Sequence, residues 1–229
     1  MTAAGAFRGF DRDAMQFWHE LAAQMTKEWF AANKQRYQSV WVEPMLALLR
    51  EVARGLAPVY KPLALAEPGV LRIYRDLRFS ADKTPYKTHI AGVIRLAGHR
   101  AAEAGHAVLY LHLGLDEEYV GVGCYRFDDA KVVRWRRAVV GAPGRALLGI
   151  VAGLRRKGYR PEGYEDYARV PKGFAPDHPR AELLKHRGLI CSFPAIPRGL
   201  LQKPALARWL IRHATATAPL VIWLRRHLG

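Results

Sequence analysis

One change of rhythm constrains what this chain can fold into. Over its first quarter, apolar side chains recur at three- and four-residue spacing. Met15, Trp18, Leu21, Ala22 and Met25 are an example, and this is the period of an amphipathic helix. From residue 70 the period drops to two. Leu71, Ile73, Leu77 and Phe79 alternate with Arg72, Tyr74, Asp76 and Arg78, as in a strand with one buried face. Alternation continues over 88–97, then over 106–115, where Leu109, Leu111 and Leu113 point inward and Tyr110 and His112 the other way. A fourth strand is predicted over 118–127, in which Gly121 and Gly123 weaken the strand or permit close approach. Short connections between these strands imply an antiparallel meander.

The helices fall on either side. The spacing predicts one over 11–25, a second over 27–39 capped by Thr26, and a third over 41–56, with Gly55, Pro58 and Pro62 ending the helical region. After the meander, Asp128 is placed to cap a helix over 129–140, and another covers 143–157. A loop rich in Tyr and Pro follows. Then come a short helix near 179–187, a brief strand over 189–193 and two C-terminal helices. The expected architecture is α+β: an antiparallel β-meander of about four to five strands flanked by N-terminal and C-terminal helices. No repeat, low-complexity tract or linker divides the 229 residues, so one domain is expected.

Composition narrows the function classes. The longest apolar stretch near the C-terminus, Ala218 to Leu224, is too short to span a bilayer. The N-terminal residues carry acids where a secretory leader would need an apolar run. Cys124 and Cys191 form neither a disulfide framework nor a metal-binding or redox spacing, which points to a reduced, cytoplasmic protein. No zinc motif, Walker loop, dinucleotide fingerprint or nucleophile elbow is present, so neither a metal nor a nucleotide cofactor is implied. The formal charge of +16, from 36 basic against 20 acidic residues, attracts polyanions. An Arg- and Ala-rich composition of the kind GC-rich coding produces would give the same excess.

Residues 72–89 concentrate the chemistry. Arg72, Tyr74, Asp76 and Arg78 project the same way from a strand, with about 7 Å between successive members. Arginines on both sides should hold Asp76 ionised while leaving net positive charge for an incoming anion. The following loop adds Lys83 and Lys87, with Ser80 and Asp82 as turn-formers; Pro85 keeps Thr84 out of helical geometry. His89 closes the segment with a group that titrates near neutrality. The same alternation also describes a solvated strand face whose charges pair across the sheet.

The string RIYRDLRFSADKTPYKTHI, residues 72–90, resembles the signature of domain-of-unknown-function family 2461, a bacterial and fungal group without an established activity. EWFAANKQRY at 28–37, YLHLGLDEEYVGVG at 110–123 and PKGFAPDHPRAELLK at 171–185 agree with it, so the resemblance spans nearly the whole chain. It implies a single domain of that family and attention to Arg72, Tyr74, Arg75, Asp76, Arg78, Asp82, Lys83, Tyr86, Lys87 and His89. It implies no reaction. Before EWF the family often has an Asn-rich polar stretch, where this chain has Gln24, Met25 and Thr26.

The other blocks supply candidate neighbours for the site. Trp29, Asn33 and Tyr37 share one helix face, and Asn33 either braces the basic strand or satisfies nearby backbone. Asp177 or His178 is placed to cap the next helix with Pro179 in its first turn; Lys172 and His178 are candidates for a pocket rim facing Arg72 and Arg78. His112 reads as a packed, hydrogen-bonded strand residue or as a lining group of that pocket. The basic run over 131–160 interleaves Trp135 and Tyr159, either as a phosphate-tracking surface or as helix faces with Trp135 and Val132 in the core.

Three functions are consistent with these residues. The first is binding of a small anionic ligand, phosphate- or carboxylate-bearing, by Arg72, Tyr74, Arg75, Arg78, Lys83, Tyr86 and Lys87. Asp76 and His89 would then serve as an acid–base pair if the protein is an enzyme. The alternative is nucleic-acid binding by the same basic face with the 131–160 cations. The third is a structural or interaction domain whose motif is a salt-bridged network. No membrane partner is expected, and the oligomeric state is not fixed by the sequence.

Overall fold

Capping side chains start the first two helices. Asp11 accepts a hydrogen bond from the Asp13 N–H (3.0 Å) and opens α1, Arg12–Gln24. The Thr26 hydroxyl accepts from the Trp29 N–H (3.2 Å) and opens α2, Lys27–Tyr37; each satisfies a donor that the helix itself leaves over. A π-turn over Gln38–Val42 carries α2 into α3, Glu43–Tyr60, without a loop between them. This computed structural model describes residues 6–76, 78, 83–98, 106–164 and 166–229.

The strands are β1 (Gly69–Val70), β2 (His89–Arg95), β3 (Ala107–Gly114), β4 (Glu118–Cys124), β5 (Arg160–Gly163) and β6 (Leu189–Ser192). They form one antiparallel sheet in the order β1-β2-β3-β4-β6-β5. The helices α4 (Asp129–Val140) and α5 (Ala142–Arg156) follow β4 and bend by 88° at Gly141, with Asp128 capping α4 as expected. Then come α6 (Ala181–Lys185) and α7 (Ala205–Leu228).

Alternation gives the sheet two unlike faces. Ile90, Ile94, Leu109, Leu111, Leu113, Val120 and Val122 are buried, and α3 and α7 pack on this helix face. Gly92 admits α3: a Cβ there would lie 2.7 Å from Leu49 Cδ1 and 2.9 Å from Met45 Sδ. Residues one step out of phase line the other face. His89, Ala91, Val93 and Arg95 come from β2, Tyr110 and His112 from β3, and Tyr119 from β4.

The α+β class holds, with six strands instead of four to five. The added one is β5, which lies inside the predicted Tyr- and Pro-rich loop. Pro161 is tolerated there because β5 is an edge strand whose outer side needs no ladder donor. The predicted strand over 70–79 is regular only at Val70; Leu77, Phe79, Ser80 and Asp82 lie outside the described residues. The two predicted C-terminal helices are one helix of 24 residues. Burial of Ala214, Ala218, Leu220 and Leu224 on both sides of Pro219 holds it together, and Thr217 Oγ1 donates to the His213 carbonyl (3.0 Å). α3 likewise runs through Gly55 and Pro58 to the buried Tyr60. Gly55 ends nothing; it lets α7 approach, since a Cβ there would meet Ile211 Cδ1 at 2.5 Å. Among the described residues, no single helix is long and apolar enough to cross a membrane.

Candidate functional site

The basic segment runs beside β2 as an irregular extension of the sheet. The Leu71 N–H donates to the Ala91 carbonyl (2.8 Å), the Lys87 N–H to Ile73 (2.9 Å) and the Arg75 N–H to Pro85 (3.1 Å). Pro85 has no N–H to return, which interrupts the ladder and accounts for the missing regular strand. Only an isolated bridge joins Tyr74 to Tyr86. The predicted alternation survives in part: Ile73 is buried, whereas Arg72, Tyr74, Asp76 and Arg78 are exposed.

Two groups of polar residues result. In the first, Arg78 grips Asp76 through Nε (2.9 Å) and Nη2 (2.7 Å), and the Arg78 N–H adds a third bond (3.2 Å). Arg72 stands 3.8 Å from the same carboxylate. The Arg78 side-chain and backbone bonds hold the Asp76 carboxyl far below the usual carboxylate range. Asp76 is thus an ionised anchor for two arginines and a poor proton acceptor.

The second group lies around β2. Arg75 donates from Nε to Thr84 Oγ1 (3.0 Å) and to the Tyr86 carbonyl (3.2 Å). Lys87 Nζ donates to the Arg72 carbonyl (3.3 Å), and burial with Arg72 and Arg75 nearby makes its ammonium less basic than usual. The His89 and His112 rings pack with centroids 4.0 Å apart. Gly114, directly opposite His89 in the sheet, leaves the room: a Cβ there would lie 2.9 Å from His89 Cβ and 3.3 Å from His112 Nε2. Burial, then His112, Lys87 and Arg75, push the His89 imidazole down to about 4. Burial also lowers His112, against the opposing pull of Glu117, 3.5 Å from its Nε2. Both rings are neutral at pH 7.

The remaining predicted residues sort as follows. Tyr86 is buried and stacks on Phe30 of α2 at 4.4 Å, and Tyr74 meets both rings. These tyrosines dock the segment on α2. Asn33 donates to the Trp29 carbonyl (2.9 Å) within its own helix, so it satisfies local backbone. Lys83 is exposed. Lys172 is exposed in the loop before α6, and no bond among the described residues joins it or His178 to Arg72 or Arg78. The predicted cap at Asp177 or His178 is corrected. α6 is a five-residue helix that begins at Ala181 without a side-chain cap, and His178 Nδ1 accepts from the Arg180 N–H (3.0 Å). The tight turn before α6 takes up the side chain meant for its end.

Sequence reasoning missed a cleft of about 560 Å³ on the face away from α3, lined by Arg95, Tyr110, His112, Glu117, Tyr119, Tyr125 and Tyr164 among others. Gly121 lies opposite Tyr110 and makes space for Tyr119, whose hydroxyl would be 2.6 Å from a Cβ at Gly121. The signal was available: counting from His89 in steps of two reaches Arg95, and Gly121 and Gly123 alternate in phase with Tyr119.

These features describe an α+β protein whose antiparallel sheet is packed by helices on one face and carries a histidine- and tyrosine-lined cleft on the other. The family described as conserved hypothetical protein (DUF2461) matches residues 13–223, and the chain belongs to that family. No curated protein and no solved structure matches it.

Proposed function

We propose that this protein binds a small anionic ligand, phosphate- or carboxylate-bearing, where the basic segment meets β2. The observation that carries the reading is the convergence of Lys87 and Arg75 on the packed His89–His112 pair. A partly buried ammonium made less basic by burial and by neighbouring cations gains from an anion beside it, and neutral imidazoles supply hydrogen bonds at no charge cost. Arg72 and Arg78, held by Asp76, form the outer rim. If the ligand is also transformed, proton transfer falls to His89 and not to Asp76, because a gripped carboxylate is a weak base. The buried thiols of Cys124 and Cys191 fit the cytoplasmic setting expected for the chain.

Calorimetric screening of phosphorylated and carboxylated metabolites tests the reading. Lys87→Met should weaken the best binder about tenfold or more. Affinity unchanged by Lys87→Met and Arg75→Met together would end it. Binding of nucleic acid that collapses with modest salt would favour the alternative instead. That alternative has lost its aromatic contacts, because Trp135 is fully buried, with Nε1 donating to the Leu183 carbonyl, and Tyr159 is buried beside His213.

A further inference from the structure

Arg95 has no role in that reading, yet its setting calls for one. It is the last residue of β2, partly buried in the wall of the cleft. Among the described residues its side chain makes no hydrogen bond and no ion pair, and burial alone shifts it, making the guanidinium less basic than usual. A guanidinium withdrawn from water without a counter-charge is destabilising, and it is relieved by an anion that accepts two parallel N–H bonds.

The rest of the cleft describes what accompanies that anion. The Tyr110 and Tyr119 rings stand with centroids 6.0 Å apart at 55°, the Tyr119 hydroxyl seated over Gly121. Tyr125 and Tyr164 pack at a tilt of 36° with centroids 3.9 Å apart, and their hydroxyls are hydrogen-bonded to each other. Four tyrosine rings give flat apolar walls with hydroxyls at their edges. The volume of about 560 Å³ falls in the range of small-molecule sites. Charge sets a limit as well: among the described lining residues Arg95 is the only cation, His112 being neutral, and Glu117 repels a second negative group at the His112 end. We propose that this cleft is a second binding site, taking a flat ring that bears a single carboxylate, with Arg95 holding the carboxylate and the tyrosines the ring. Arg95 and His89 are six residues apart on one strand, about 20 Å along it, so this anchor is separate from Lys87 and His89, and the two sites meet only at His112, which packs on His89 and lines the cleft.

The probe is 2-naphthoate, with 2-naphthalenemethanol as the same ring without charge. Calorimetry on the full chain should show one equivalent of 2-naphthoate bound and the alcohol about tenfold weaker or more. Arg95→Met should abolish that difference, and Arg95→Lys, which keeps the charge but not the two-pronged geometry, should weaken 2-naphthoate several-fold. Lys87→Met should leave it unchanged. Without ligand, Arg95→Met should melt no lower than wild type, because it removes a charge that has no partner among the described residues. The inference is overturned if 2-naphthoate does not bind wild type at about 10 mM, if its affinity survives Arg95→Met, or if Arg95→Met melts lower. It also fails if Lys87→Met weakens 2-naphthoate as much as Arg95→Met does, which would assign the carboxylate to the basic segment and leave the first site standing.

Discussion

The two faces of the sheet use the same strands to opposite ends. On the helix face, Leu109, Leu111 and Leu113 close against α3 and α7, and Gly92 is a clearance through which Leu49 and Met45 reach the sheet. On the cleft face, Gly114 and Gly121 are clearances that no helix fills; they leave room for the His89–His112 pair and for the Tyr119 phenol. A glycine in a strand therefore has no single meaning here. What it admits depends on which face it lies on: a packed helix on one, polar side chains beside open volume on the other.

Paired substitutions on adjacent residues break or sharpen this contrast. The largest effect is expected from Leu111→Ala, which should cost about 3 kcal/mol by leaving a core cavity, read by chemical denaturation. Tyr110→Ala, one residue away on the cleft face, should cost about 1 kcal/mol; equal losses would mean that the two faces are equally packed. Gly92→Val should follow at about 2 kcal/mol from overpacking against Leu49 and Met45. Next comes the pH response of His89. Its imidazole holds a proton more weakly in the fold, at about 4, than in the open chain, so unfolding takes up a proton at intermediate pH. Stability is full above about pH 6.5, falls as pH drops, and levels off below about pH 4. With solvent screening the drop is about 1 kcal/mol. His89→Gln should flatten that part of the melting-temperature profile, and an unchanged profile would refute the assignment. Asp76→Asn should have the smallest effect, with a melting temperature indistinguishable from wild type, because its ion pairs are exposed.

How much of this was legible depended on whether the signal was periodic. α4 follows from Asp128 and the spacing of Val132, Trp135 and Val139, and its limits match the expectation residue for residue. β2, β3 and β4 came from alternation alone. β5 was invisible because Arg160–Gly163 is too short to show a period and contains a proline. Its place is set by pairing with β6 from across the chain. The continuity of α7 through Pro219 was likewise hidden, since burial and not local propensity holds it. In the candidate site, the basic segment announced itself by charge, but the split into an Asp76-gripped rim and a Lys87–His89 interior is decided by hydrogen bonds that no spacing reveals. For His112 the sequence leaves open a packed strand residue or a pocket-lining one; that it packs against His89 depends on strand register, which brings Gly114 opposite His89. Arg95 went unnoticed because an isolated arginine at a strand end looks like any solvated cation until its surroundings are known.

The two borders of the sheet have a consequence for self-association. One is the two-residue β1, continued by a segment whose ladder is broken at Pro85; the other is the four-residue β5 with Pro161 inside it. Neither offers a long row of unused donors and acceptors to another chain. Short, interrupted borders of this kind disfavour the strand-by-strand stacking that leads to fibrils.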